Sequence, residues 1–210
     1  MSKIQEVATA VERGKSKKVA GLVQEALDSG VSAPDILNAM IDAMSVVGEK
    51  FTKNEIFVPE MLVAARAMQK GVEVLKPLLM GENAVSAGKM IMGTVAGDLH
   101  DIGKNLVIMM LESAGFEVID LGVDVPAEKF IEALDQNPDV KIVGASALLT
   151  TTMPALKDTV KALNEYPNRD KFKVMVGGAP ITQEFADEIG ADAYTEDAAE
   201  AAQVAKKLVG

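Results

Sequence analysis

In the first 80 residues, apolar side chains recur at intervals of three and four, the spacing of one helical face. Ile4, Val7, Ala8 and Val11 begin this pattern. Residues that end or start helices divide the region into four segments, with ends at Gly14 and Ser29–Gly30 and starts at Ser32 or Ala33 and near Pro59. Four helices joined by short loops predict a small antiparallel bundle.

From residue 89 the pattern changes to short apolar runs that alternate with helical segments. The five predicted strands are KMIMGTVA (89–96), FEVIDLG (116–122), KIVGASALL (141–149), KVMVGG (173–178) and ADAYTE (191–196). Strict alternation of strand and helix is typical of a parallel sheet with helices on both faces. The sequence therefore predicts an α/β fold, in which a four-helix bundle cap precedes a flavodoxin-like, five-stranded, doubly wound domain.

A stretch of small residues with glycine at both ends, GENAVSAG at 81–88, separates the two patterns. It has no helical period, so a linker is the natural interpretation. We predict a helical-bundle cap domain at 1–82, a linker at 83–88 and a flavodoxin-like domain at 89–210.

Charge and cysteine content narrow the classes of partner. The net charge of −10 disfavours nucleic acid, because phosphate contacts need clustered lysine and arginine, and it equally disfavours a basic membrane-surface helix. The absence of cysteine excludes a disulfide framework and cysteine-based zinc sites. Neither an apolar signal-peptide core nor a membrane span is visible. The sequence predicts a cytoplasmic protein with no nucleic acid and no membrane as partner.

Polar residues and glycines collect where the predicted strands end. They are Gly97, Asp98, His100 and Gly103 after strand one, Ser146, Thr150 and Thr152 around the end of strand three, Gly177 and Gly178 at the end of strand four, and Glu196 and Asp197 after strand five. Strands one, three and four are neighbours in this topology, and ligands bind outside the carboxyl ends of such strands. We therefore predict a pocket at this rim.

Each of these residues also has a structural explanation. His100, the only histidine, could be a surface residue, and Asp101 could be the N-cap of the next helix. The pair Gly177 and Gly178 could form a tight turn, and Ser146 could be a small residue in a crowded strand. Their convergence on one rim favours function over four separate structural roles.

A chain with one histidine and no cysteine can form few kinds of metal site. A catalytic zinc ion needs about three protein ligands, and a carboxylate-bound magnesium or calcium ion would give His100 no purpose. A single histidine suffices when the metal arrives already chelated, as in a tetrapyrrole-type cofactor, with Asp98 holding the other ring nitrogen. A phosphate-binding P-loop is disfavoured, because the spacing from Gly97 to Gly103 is wrong and acidic side chains would repel phosphate.

The segments D-x-H-x-x-G at 98–103, SALLTTT at 146–152 and VGG at 176–178 together resemble the cobalamin-binding signature of methionine synthase, the methyltransferase corrinoid proteins and the adenosylcobalamin mutases. The helical bundle before them extends the resemblance to essentially the whole chain. It is closest to the stand-alone corrinoid protein of a three-component methyltransferase system.

This resemblance implies base-off/His-on cobalamin, with His100 as the lower axial ligand of cobalt. Asp98 would hydrogen-bond His100, and Thr152 would continue the relay, although many relatives have serine there. The other implied cofactor-binding residues are Asp101, Ile102, Gly103, Ser146, Leu148, Thr150, Gly177 and Gly178. Four residues of the helical cap are candidates to cover the upper face of the cofactor, with ordinary bundle core as the alternative: Phe57, Met61, Leu62 and Met68.

The implied function is methyl transfer through cobalt by a subunit that does not act alone. Cob(I)alamin would accept a methyl group from a donor on a substrate-specific methyltransferase. Methylcob(III)alamin would pass it to tetrahydrofolate, tetrahydromethanopterin or coenzyme M on an acceptor methyltransferase, and a reductive activase would restore the cofactor. The alternatives are a cobalamin-binding subunit of an adenosylcobalamin mutase, a B12-sensing regulator, and an interaction domain without cobalamin.

Overall fold

The computed structural model describes residues 2–79 and 87–210. The chain divides into two compact units, one with the four helices of the N-terminal half and the other with five strands, beginning at Ala87. Most of the predicted linker, 83–86, and the end of the predicted cap domain at 82 lie outside the described residues. Gly88, the last residue of that linker, opens the first strand. None of the described helices is long and apolar enough to cross a membrane.

The described residues of the N-terminal unit form four helices, as the periodicity predicts: α1 Lys3–Glu12, α2 Ser16–Asp28, α3 Ala33–Thr52 and α4 Val58–Leu79. Two serines start helices with the side-chain caps that an N-terminus needs. Ser2 forms a reciprocal capping box with Gln5, and the Ser32 hydroxyl accepts the Asp35 N–H at 3.2 Å. The fourth helix begins one residue before Pro59, at Val58.

The apolar faces of these helices form an aliphatic core. Val7, Val19, Ile36 and Met40 are fully buried. Of the four cap candidates, Met61 and Met68 are also buried, which agrees with the bundle-core alternative. Phe57 is 64% exposed, and Leu62 is half-buried.

The second unit is a parallel five-stranded sheet of order β2-β1-β3-β4-β5, which confirms the predicted fold class. The strands are β1 Gly88–Thr94, β2 Phe116–Asp120, β3 Val140–Ser146, β4 Lys173–Gly177 and β5 Ala193–Thr195. The helices that alternate with them are α5 Ile102–Ser113, α6 Ala127–Gln136, α7 Met153–Asn164, α8 Gln183–Ile189 and α9 Ala198–Val209. Two short 3-10 helices lie at Thr150–Thr152 and Arg169–Lys171.

The strand register aligns the residues at the carboxyl edge of the sheet. Thr94 of β1 pairs with Ser146 of β3, Ser146 pairs with Gly177 of β4, and Gly177 pairs with Thr195 of β5. These four strand-ending residues therefore lie side by side across four neighbouring strands. The loops that follow them begin at the same level, and this brings the predicted rim residues together.

Candidate functional site

The loop between β1 and α5 begins with a tight turn. The Asp98 N–H donates to the Val95 carbonyl at 3.1 Å, and Gly97 has a φ of +77°. A positive φ at this position of the turn suits glycine, because a side chain would be strained there. The turn places Asp98 beneath the loop, where it is fully buried.

The Asp98 carboxylate accepts hydrogen bonds from both sides. Its Oδ1 accepts from the backbone N–H of His100 at 3.1 Å and faces His100 Nδ1 at 2.8 Å. Its Oδ2 accepts from the N–H groups of Leu148 and Leu149 at 2.7 and 3.3 Å, and from the Thr152 hydroxyl at 2.8 Å. The loop after β1 and the loop after β3 are thus joined through one carboxylate.

These bonds decide the charge of the buried group. Burial alone would raise the pKa of the Asp98 carboxyl, but the hydrogen bonds from Leu148 N–H, the Thr152 hydroxyl and His100 outweigh it and hold that pKa well below its usual range. Asp98 is therefore ionised at every physiological pH.

The lowered pKa of Asp98 predicts an acid-dependent contribution to stability. A group whose pKa is lower in the folded than in the unfolded chain stabilises the fold above its unfolded pKa of about 4, and this stabilisation is lost as pH falls. We expect Asp98→Asn to lower the free energy of unfolding by about 1–3 kcal/mol at pH 7, because the side-chain NH₂ of asparagine would face the N–H and hydroxyl groups that now donate to Asp98. The difference between the variant and the wild-type chain should shrink from about pH 5 to pH 2. Denaturant titrations at several pH values measure it, and a constant difference would contradict it.

His100 exposes half of its side chain, while its partner Asp98 exposes none. Because the ionised carboxylate can only accept hydrogen bonds, the contact at 2.8 Å places a proton on His100 Nδ1. In the neutral imidazole, Nε2 then carries the lone pair. The arrangement fixes one tautomer and leaves a nitrogen ligand directed away from its anchor.

Ser146 belongs to a second network at the same rim. The buried Thr94 hydroxyl donates to the carbonyl of His100 at 3.0 Å and lies 3.0 Å from the Ser146 hydroxyl. A hydroxyl has one proton, so Ser146 is the donor in its bond with Thr94. The lone pairs of Ser146 then remain as acceptors for a neighbouring group.

The residues after β3 separate into anchors and exposed side chains. Leu148 and Leu149 contact Asp98 through their backbone, and their side chains are 41% and 40% exposed. Thr152 is buried, and its hydroxyl lies 2.9 Å from the Leu149 carbonyl as well as against Asp98. Thr150 is exposed at the start of the 3-10 helix and is free to meet a ligand.

An added Cβ would have a different effect at each of the predicted rim glycines. At Gly178, with a φ of +128°, an added Cβ would lie 1.9 Å from the Ala147 carbonyl oxygen, so the fold itself requires glycine. At Gly177 the Cβ would be 3.1 Å from the Thr195 carbonyl oxygen. At Gly103 an added Cβ would meet no atom within 4 Å. The packing of the chain therefore does not explain a glycine at 103, near the start of α5.

Asp101 precedes α5, and its carbonyl accepts the Asn105 N–H at 2.7 Å. Its side-chain Oδ2 accepts from the Asn105 side-chain amide at 3.2 Å. Asp197 caps α9 by accepting the Glu200 N–H at 2.8 Å, and the Glu196 N–H donates to the Glu200 side chain. The two predicted rim residues after β5, Glu196 and Asp197, therefore stabilise the start of α9.

Comparison with known proteins identifies the family. One B12 binding domain model matches residues 88–203, and a second model, also a B12 binding domain, matches residues 3–76. The chain is 45% identical over 208 residues to dimethylamine corrinoid protein 1 of Methanosarcina acetivorans, covering 98% of this chain and 97% of that protein. The chain belongs to the methyltransferase corrinoid proteins.

Two further relatives of this corrinoid protein extend the comparison. A corrinoid protein of Desulfitobacterium hafniense strain Y51 is 42% identical over 215 residues, which cover 100% of this chain and 99% of that one. The solved methanol:cobalamin methyltransferase complex of Methanosarcina barkeri contains a similar chain, 32% identical with a TM-score of 0.85. That match covers 99% of this chain and 79% of the other.

The rim of the corrinoid protein fits a cofactor that brings its own metal. Four apolar residues in the segments that follow β1 and β3 are exposed: Leu99 by 71%, Ile102 by 85%, and Leu148 and Leu149 by about 40%. No group of three or more His, Cys, Asp or Glu able to hold a metal ion occurs among the described residues. One ligand nitrogen amid apolar side chains suits a chelated metal, and the open space at Gly103 leaves room for its periphery.

Sequence reasoning missed two residues of the site of this corrinoid protein. Thr94 holds the His100 carbonyl, but it ends an apolar strand and gives no separate sequence signal. Asp124, in the loop after β2, accepts the Gly97 N–H at 2.7 Å. The segment G-x-D-x-P at 122–126 has the sequence of an ordinary turn. Only its alignment beside β1 could have revealed that Asp124 contacts Gly97.

Proposed function

We propose that this chain is the methyl-carrying corrinoid subunit of a multi-component methyltransferase system, with cobalamin bound base-off and His-on. One observation carries the proposal. The half-exposed His100 has its Nδ1 held by a buried, ionised Asp98, which leaves Nε2 free, and its sequence neighbours Leu99 and Ile102 are exposed. Such a site presents one axial nitrogen to a chelated metal.

Bound cobalamin would supply a cobalt ion that can accept and release a methyl group. His100 Nε2 would be the protein nitrogen that holds it. When His100 is not engaged as a ligand, its Nδ1–H remains bonded to the Asp98 carboxylate, which keeps the imidazole ring in place. Thr152 and the Leu148 N–H in turn hold Asp98.

The remaining rim residues hold the periphery of the cofactor. Ser146 offers an acceptor oxygen because its proton is committed to Thr94. Thr150 offers an exposed hydroxyl, and Gly103 allows a close approach to α5. Ile102 and the side chain of Leu148 provide apolar surface, with Asp101 at the edge and the backbone at Gly177 and Gly178 lining the end of β4.

The partners follow from the carrier role. One related protein is named for dimethylamine, and a neighbour in structure lies in a complex that transfers methyl groups between methanol and cobalamin. We expect a substrate-specific methyltransferase, an acceptor methyltransferase and a reductive activase for this chain as well. The acceptor is a thiol or a reduced pterin such as coenzyme M, tetrahydromethanopterin or tetrahydrofolate.

The proposal is tested by reconstitution with hydroxocobalamin followed by gel filtration. We expect about one cobalamin per chain to remain bound. The reduced, loaded protein is then incubated with isotope-labelled methanol, monomethylamine or dimethylamine, each with its substrate-specific methyltransferase, and protein-bound label is measured. Label from one donor supports the proposal and names the donor. A colourless protein after gel filtration would refute it.

A further inference from the structure

The loop after β2 contains a residue in an uncommon conformation. Asp124 has a φ of +54°, a left-handed conformation that few residues other than glycine adopt without cost. Of the described residues, Asn54, in the helical unit, is the other non-glycine residue with a positive φ. Glycine would relieve the strain at position 124, so the carboxylate there needs an explanation.

Asp124 is bonded to the turn that carries Asp98 by two hydrogen bonds in opposite directions. Its Oδ1 accepts the Gly97 N–H at 2.7 Å, and its own N–H donates to the Asp98 carbonyl at 2.9 Å. The left-handed conformation lets one residue present both groups to the same turn. Asp124 therefore holds the two peptide groups that flank the Gly97–Asp98 peptide, one through the Gly97 N–H and the other through the Asp98 carbonyl.

The neighbouring backbone makes this contact rigid. The Val125 N–H donates to the Thr94 carbonyl at 2.9 Å, and the Thr94 N–H donates to the Gly122 carbonyl at 3.0 Å. Val95 and Val125 also form a parallel bridge. Because both sides of Asp124 are fixed to the end of β1, its carboxylate has a defined position relative to Asp98.

We infer that Asp124 is a positioning residue for the axial ligand: it holds the Gly97–Asp98 turn so that the Asp98 carboxylate captures His100 Nδ1 and leaves Nε2 for the metal. This inference rests on the proposed function for its consequence at cobalt. The positioning itself is a property of the chain without cofactor, so it can be tested separately.

The test uses the only histidine of the chain. Long-range ¹H–¹⁵N spectra of the cofactor-free protein at about pH 8.5, where an ordinary imidazole is neutral, report the tautomer of one residue without assignment. We expect the wild-type protein to show the Nδ1–H tautomer. In Asp124→Ala, the ratio of Nδ1–H to Nε2–H should fall about tenfold, the effect of losing a hydrogen bond to a charged group. In cobalamin-loaded protein, the His-on fraction should fall with it.

Three further variants separate the carboxylate from the backbone conformation. Asp124→Asn keeps the acceptor oxygen and tolerates a positive φ, and it should retain the wild-type tautomer ratio. Asp124→Gly keeps the conformation without the acceptor and should behave like Asp124→Ala. Asn54→Ala alters the left-handed residue of the helical unit and should change nothing at His100.

Several results would overturn the inference. They are a wild-type ratio in Asp124→Ala, an equal loss in Asp124→Asn, and a wild-type ratio in Asp124→Gly. Circular dichroism of each variant verifies that it is folded. If no variant or wild-type protein retains cobalamin, the proposed function fails, while the tautomer ratios of the cofactor-free chains still decide the role of Asp124.

Discussion

His100→Ala is expected to lose the His-on visible spectrum of bound cobalamin completely and at every pH, while the fold is retained. The physical reason is that His100 is the only histidine and no cysteine is present, so no second residue of similar ligand strength can replace it. The side chain is half exposed, so its truncation leaves little cavity and little loss of stability. Spectra of hydroxocobalamin-loaded wild-type and variant proteins between about pH 6 and pH 9 measure the effect across the range where imidazole titrates.

Rescue by a free ligand serves as the control for His100→Ala. Imidazole in solution should restore a nitrogen-ligated spectrum in the variant, because the Asp98 carboxylate that accepts Nδ1–H remains in place. The wild-type spectrum should not change on the same addition. A variant with the wild-type spectrum and the wild-type pH dependence would show that His100 is not the axial ligand.

Gly178→Ala is expected to have the largest effect on stability, a loss of about 3–5 kcal/mol. Its Cβ would lie 1.9 Å from the Ala147 carbonyl oxygen, at a φ of +128°. The nearest atoms all belong to the backbone of Ala147, so no side-chain rearrangement can relieve the clash. Because both tyrosines, Tyr166 and Tyr194, lie in the sheet unit and the chain has no tryptophan, tyrosine fluorescence during urea unfolding reports this unit specifically.

Gly103→Ala is the matched control for Gly178→Ala. A Cβ at position 103 meets nothing within 4 Å and no positive φ is involved, so stability should stay within about 0.5 kcal/mol of the wild-type value or rise slightly. Cobalamin retention should nevertheless fall, because the methyl group enters the space proposed for the cofactor. Equal loss of stability in both alanine variants would contradict the distinction between a glycine required by the fold and one required by a ligand.

Much of the fold follows from local patterns. The four helices of the first unit follow from their apolar spacing and their serine, glycine and proline ends. The strand order follows from strict alternation of strand and helix, which leaves few topologies open. Gly97 and Asp98 could be placed at the rim because the carboxyl ends of parallel strands share one edge. The prediction placed the end of the first strand at residue 96, but β1 ends at Thr94, where the chain leaves the sheet for the turn at Gly97.

The hydrogen bonds of the site depend on register, which sequence patterns do not contain. Thr94 meets Ser146 because their strands pair in that register. Asp124 reaches Gly97 because the segment after β2 continues beside β1. The structural role of Gly178 could not be read from the sequence either. Glycine is favoured both by a close approach to the Ala147 backbone and by a close approach to a ligand. The D-x-H-x-x-G motif identifies His100 and its partner Asp98, but it does not identify the residues that hold them in place.

The bonds to Asp98 join segments that lie about 50 residues apart in the chain, at His100 on one side and at Leu148, Leu149 and Thr152 on the other. The two loops are thereby ordered as part of folding, together with the sheet edge that carries them. The conformational entropy of ordering them is lost when the chain folds and is not lost again when a ligand arrives. A cofactor thus meets a rigid receptor, and its binding free energy is not reduced by the ordering of these loops.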